Sequence, residues 1–125
     1  MSYAGPGAVA RGQLALDVLR IRLNEAGFAD CESRYELIGV NTILGGRIMS
    51  SLEPKNEPSE VRLRLVMRVK TADQAKDVVN EVEALYLNGP ASGGGATKSV
   101  REVIAAASVL IPRDWVTTSV LVLDN

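Results

Sequence analysis

The segment from Glu60 to Lys70 constrains this chain more than any other. Val61, Leu63, Leu65, Met67 and Val69 alternate with Arg62, Arg64, Arg68 and Lys70, and only Val66 interrupts the polar side. A period of two with one apolar face is the pattern of a strand that buries one side and wets the other. Such a strand needs paired neighbours and a second layer to cover it. Directly after it, Thr71-Ala72-Asp73-Gln74 matches a capping box, in which Thr71 accepts from the backbone and Gln74 reaches back. The spacing predicts a helix from there through Ala75, Val78, Val79, Val82, Leu85 and Tyr86. Asn88-Gly89-Pro90 ends it, with a left-handed cap at Gly89 followed by a residue that cannot continue a helix.

The rest of the chain is read around this β-α unit. From Pro6 to Ala26 the pattern is helical: Leu14, Val18 and Ile21 recur at spacings of four and three, with Ala15, Leu19 and Leu23 beside them. Gly27 stands where a left-handed C-terminal cap is needed. Ser33 to Asn41 reads as a strand, and Leu44 to Ser59 as a long loop. Ala91 to Ala96 forms a glycine-rich loop. Val100 to Ile111 reads as a central strand, with a helix as the alternative because of Ala105 to Ala107, and Thr117 to Leu123 closes the chain as a short strand. The expected fold is therefore α+β, a two-layer sandwich in the order α-β-β-α-β-β. Its two helices cover a four-stranded, mainly antiparallel sheet, as in a circularly permuted ferredoxin-like domain spanning residues 1–125.

Composition narrows the function classes. Fourteen basic against fifteen acidic residues give a net charge of −1, without the concentrated positive footprint of a nucleic-acid binder. No apolar run approaches the roughly 20 residues that cross a bilayer. Cys31 is the only cysteine, so no intramolecular disulfide forms and a cytoplasmic location is expected. Its neighbours Asp30 and Glu32 disfavour a thiolate. Histidine is absent altogether, which removes the commonest general base near neutral pH and nearly every common zinc arrangement. No catalytic constellation, metal set or cofactor motif stands out.

Two places carry candidate sites. In the first, Asn88, Gly93, Gly94, Gly95, Lys98, Ser99 and Arg101 lie in or beside the glycine-rich loop, where convergent backbone N–H groups and a lysine would suit a phosphate. The order Thr97-Lys98-Ser99, and a loop leading out of a helix, do not match a Walker A motif. A plain helix-to-strand connection is the alternative. In the second, Arg62, Arg64 and Arg68 line one strand face and could meet an acidic partner surface, or simply pair across the sheet with acids such as Glu32 and Glu36. Trp115, the single tryptophan, is either an interface anchor or a cover for one end of the core.

Read together, E-V-E-A-L-Y-L-N-G-P-A-S-G-G-G-A-T-K-S-V-R-E-V-I (Glu81 to Ile104) and S-V-L-I-P-R (Ser108 to Arg113) resemble the carboxy-terminal part of the acyclic terpene utilisation protein A family. S-Y-A-G-P-G-A (Ser2 to Ala8), L-I-G-V-N (Leu37 to Asn41) and E-V-R-L-R (Glu60 to Arg64) fit the same family. The resemblance implies a protein several times longer, with most of its mass upstream of Ser2, associated with breakdown of acyclic terpenes and related acyl-coenzyme A compounds. It carries no catalytic residue over to a position here. The expectation is a non-catalytic carboxy-terminal assembly or accessory module. Its partners would be further copies of itself, a larger amino-terminal domain or a separate subunit. The alternative is a domain or enzyme that binds an acyl-coenzyme A or phosphate at the loop of residues 89–99.

Overall fold

The structure, a computed structural model, describes residues 1–40, 42–43, 57–104 and 106–123. Among these residues lie four strands and two α-helices: β1 (Ser2–Ala4), α1 (Ala8–Leu23), β2 (Ser33–Ile38), β3 (Glu60–Met67), α2 (Ala72–Asn88) and β4 (Gly93–Gly94). The strands make one antiparallel sheet in the order β2-β3-β1-β4. The α+β class, two helices and a four-stranded antiparallel sheet are as expected, but the permuted order is not. A strand precedes the first helix, and among the described residues the elements run β-α-β-β-α-β. Most of the expected Leu44–Ser59 loop lies outside the described residues.

The missed strand is three residues long, too short for a period-two pattern to register, yet it occupies the centre of the sheet. Tyr3 is fully buried and stands opposite Val61 on one side and Gly93 on the other. The ladder extends to Met1, whose backbone exchanges hydrogen bonds with Leu63. Partial burial, and then the charge of Arg62, push the Met1 ammonium below its ordinary value.

Gly5 and Gly7, both with φ near +75 to +80°, turn β1 into α1. The first helical residues find their cap far away in sequence: the Glu57 carboxylate accepts from the Gly7 and Val9 N–H groups at 3.1 and 2.9 Å. A carboxylate is favoured there because helix N-termini carry unpaired donors and partial positive charge. Arg11 ties the same turn by donating to the carbonyls of Ala4 and Pro6.

α1 does not present the stripe its strongest spacing indicated. Ala8, Gly12, Ala15, Leu16, Leu19 and Leu23 face the sheet, whereas Leu14 and Ile21 point away, 54% and 59% exposed. Close approach decides between the two stripes. A Cβ on Gly12 would sit 2.7 Å from Leu37 Cδ1 and 3.0 Å from Val61 Cγ2, so the small-residue side packs flush against the strands. Val18 is half-buried at the margin of the core. Gly27, φ +89°, supplies the left-handed conformation expected after the helix.

β3 and α2 follow the sequence pattern closely. Val61 and Leu63 are buried under the helices, and β3 pairs with β2 from Ser33↔Met67 to Ile38↔Arg62. The Thr71 hydroxyl accepts from the Gln74 N–H at 3.2 Å, while the Gln74 side chain accepts from the Lys70 N–H. The other end differs from expectation. Gly89 is extended, not left-handed, because Pro90 pushes the residue before it toward the extended region.

The largest departure lies downstream. No strand forms among the described residues of 100–111 or 117–123; a single 3₁₀ turn, Arg113–Trp115, interrupts an otherwise irregular chain. The place expected for a strand at 100–111 is taken by β4, inside the glycine-rich segment. Only a residue without a side chain fits there: a Cβ on Gly93 would fall 2.7 Å from Met1 Sδ and 3.2 Å from the Tyr3 ring.

Candidate functional site

Part of the glycine-rich segment is built into the sheet. Gly93 and Gly94 pair with Tyr3 and Ser2 as the edge strand β4. The Ala96 N–H donates to the Tyr86 hydroxyl at 2.9 Å. Gly95, φ +60°, turns its carbonyl toward Arg62, which donates to it at 3.2 Å and to the Thr97 hydroxyl at 3.0 Å. Lys98 is held against α2 by Asn80 (3.1 Å) and by an ion pair with Glu83. Lys98 and Ser99, together with Lys76, Val79, Asn80 and Val100, line a shallow groove of about 320 Å³ along α2. Asn88 ends α2 and, like Arg101, is exposed without lining that groove.

The arginine row occupies the sheet face opposite the helices, and its charges are engaged across the strands. Arg64 reaches Glu36 at 2.7 Å, and Arg34 reaches the same carboxylate at 2.5 Å. Glu36 is 4% exposed, roofed by these two guanidinium groups. Arg68 lies 3.9 Å from Glu32. Arg62 is spent on Ser2, Gly95 and Thr97. These are the cross-strand partnerships weighed from the sequence, made possible by the register Glu36↔Arg64. The platform is thus a layer of paired ions, each pair partly open to solvent and individually weak.

The sequence reading placed residues 100–111 and 117–123 inside the sheet, and the structure leaves their described residues outside it, in an arm of residues 98–123. Among the described residues of this arm, twelve apolar side chains from Val100 to Leu123 are exposed by about half or more. They include Ile104, Leu110 and the run Val120 to Leu123. Trp115 is 74% exposed on the 3₁₀ turn, so it covers no end of the core.

Several titratable groups have displaced pKa values. Burial raises the Tyr3 and Tyr35 phenols. The Val9 and Gly7 N–H groups hold Glu57 below the usual carboxylate range. Among the described residues no cluster of His, Cys, Asp and Glu is placed to hold a metal ion, and no helix is long and apolar enough to cross a membrane. Cys31 is a half-buried free thiol, packed against the Leu23–Phe28–Val78 cluster.

No curated protein and no solved structure matches the chain. The model of one family does, over residues 1–122: acyclic terpene utilisation family protein AtuA. The match takes in the sheet, both helices and nearly all of the arm, and the chain belongs to this acyclic terpene utilisation (AtuA) family.

Proposed function

We propose that this chain is an assembly or accessory module of an acyclic terpene utilisation-type protein, acting through surface and not through chemistry of its own. The observation that carries the reading is the arm: twelve apolar side chains outside the packed core. Burying a large apolar side chain is worth about 1.5–3 kcal/mol, or roughly 60–120 Å² at about 25 cal/mol per Å². The arm therefore withholds on the order of 1,000 Å² that the body does not use, more than the ~800 Å² per partner of a standard interface. The paired arginine platform and the edge strand built from glycines support the same reading, since each is satisfied within the fold. The element order β-α-β-β-α-β and the sheet order β2-β3-β1-β4 support a ferredoxin-like domain without permutation. Within the whole protein it would lie toward the carboxy-terminal side of a larger partner domain or subunit.

Hydrogen exchange across residues 98–123, read beside the particle mass, tests the proposal. Slow exchange in a particle heavier than one chain supports it. Slow exchange in a monomer would mean that the arm folds back on its own body, and would sink it.

The groove beside Lys98 and Ser99 favours a second reading, a site for an acyl-coenzyme A or phosphate. A dose-dependent rise in melting temperature with coenzyme A, acyl-coenzyme A esters or inorganic phosphate, lost in Lys98→Ala, would promote it. No shift with any of them would remove it.

A further inference from the structure

We propose that the sheet face turned away from the helices docks an acidic, extended segment of a partner protein, which lays carboxylates on Arg62 and Arg64 and an apolar side chain on Val66. The inference goes beyond the assembly reading and does not depend on the arm. It starts from the strand register. Along β3 the residues on this face are Glu60, Arg62, Arg64 and Val66, and along β2 they are Arg34, Glu36 and Ile38. Pairing sets Arg34 opposite Val66, Glu36 opposite Arg64 and Ile38 opposite Arg62. These central rungs hold three guanidinium groups against one carboxylate. Glu60 lies at one end, opposite Ala4, and the pair of Arg68 with Glu32 lies at the other.

The fold satisfies the hydrogen bonding of these arginines without neutralising their charge. Arg34 and Arg64 share the single carboxylate of Glu36, which balances one of them. The partners of Arg62 are the Ser2 and Thr97 hydroxyls and the Gly95 carbonyl, none of them charged. The Arg34 and Arg64 side chains remain 66% and 52% exposed. A guanidinium has five N–H donors, so both keep donors for an incoming carboxylate. The excess of positive charge on these rungs stands out in a chain whose net charge is −1.

Spacing and apolar content specify the occupant. Arg62, Arg64 and Val66 recur at every second residue of β3, about 6–7 Å apart. An extended peptide repeats the side chains of one face at the same interval, so acidic, acidic and apolar residues at alternate positions match the row. Val66 and Ile38, 44% and 37% exposed, supply the apolar ground. A nucleic acid fits this face less well. None of its positions named above is aromatic, which leaves no ring for a base to stack on, and the Glu36 carboxylate sits among the arginines where phosphates would pass.

The test titrates the full chain with a fluorescent peptide alternating glutamate and valine, read by anisotropy, while NMR follows the backbone amides. Binding should saturate, weaken as salt is raised, and move the amides of residues 33–38 and 60–67. The same peptide with lysine in place of glutamate should not bind. Arg34→Gln with Arg62→Gln should weaken binding by roughly tenfold, as expected for two exposed charge contacts. Glu36 keeps its contact with Arg64 in that variant, and the melting temperature checks that the fold survives. If the variant does not fold, the amide shifts of the wild type decide. A flat titration, equal binding of the lysine peptide, or undiminished binding by the folded variant overturns the proposal. Tighter binding of oligothymidylate on the same two strands overturns it in favour of a nucleic acid. Shifts confined to residues 98–123 overturn it and leave the assembly reading standing.

Discussion

The segment from Glu60 to Met67 and the segment from Thr117 to Leu123 are written in nearly the same alphabet. Both are rich in the β-branched and aliphatic residues that fit a pleated, half-buried surface. One is the second strand from the edge, paired along its length with β2 and at one end with β1. The other is irregular and exposed. The difference lies less in the residues than in what stands beside them. β3 has Leu37, Tyr3 and the underside of α1 within reach, whereas the terminal run lies outside the buried core clusters. Strand propensity of this kind is a preference for a packed neighbour, and it stays unexpressed until a neighbour arrives.

The contrast between body and arm can be broken in several ways, taken here from the largest effect to the smallest. Leu19 is fully buried under the sheet, so Leu19→Ala should lower unfolding stability by about 2–5 kcal/mol in a urea titration. An equal loss from Leu110→Ala in dilute protein would erase the distinction. Gly93→Ala drives a methyl group toward Met1 and the Tyr3 ring, and should cost about 1–3 kcal/mol through overpacking. A neutral result would mean that β4 is no part of the body. Thr71→Ala removes the cap of α2, at about 1 kcal/mol.

The acid limb of the stability curve sharpens the comparison further. The Val9 and Gly7 N–H groups hold the Glu57 carboxyl below its ordinary value of 4.5. A group depressed in the folded state stabilises fully above its ordinary value and loses that contribution as pH falls through the lowered folded value. Glu57→Gln should reduce stability at neutral pH and flatten the urea midpoint between pH 5 and 3. The smallest effect belongs to the arm. Leu121→Ser, in protein dilute enough to be a single chain, should move the unfolding free energy by less than about 0.5 kcal/mol.

What could be read from the residues alone follows the reach of each interaction. The capping box at Thr71, the alternation of β3 and the pairing of Arg64 with Glu36 all depend on neighbours a few residues away or on one strand register, and all were legible. The seat of β1 was not. Three residues carry no measurable period, and Tyr3 finds its place only through Val61 and Gly93, tens of residues downstream. The cap supplied by Glu57 to α1 is invisible for the same reason, since it comes from outside the helix. α1 shows a different limit. Two apolar stripes competed, and the stronger spacing lost because Gly12 allows a closeness that hydrophobicity does not report. At the glycine-rich segment, glycine spacing could not separate a phosphate cradle from an edge strand. Tyr3 and Met1, crowding Gly93, show why the strand β4 needs glycine there.

The position of β1 also bears on the order in which the protein comes into being. β1 precedes both of its sheet neighbours in the chain, so Tyr3 waits through β2, β3 and α2 before Gly93 emerges to close the sheet. Such long-separated pairings are slow to form and leave apolar surface open meanwhile. Once Gly94 is made, the four strands and two helices found among the described residues are present. Residues 98–123 therefore emerge after the scaffold they are attached to.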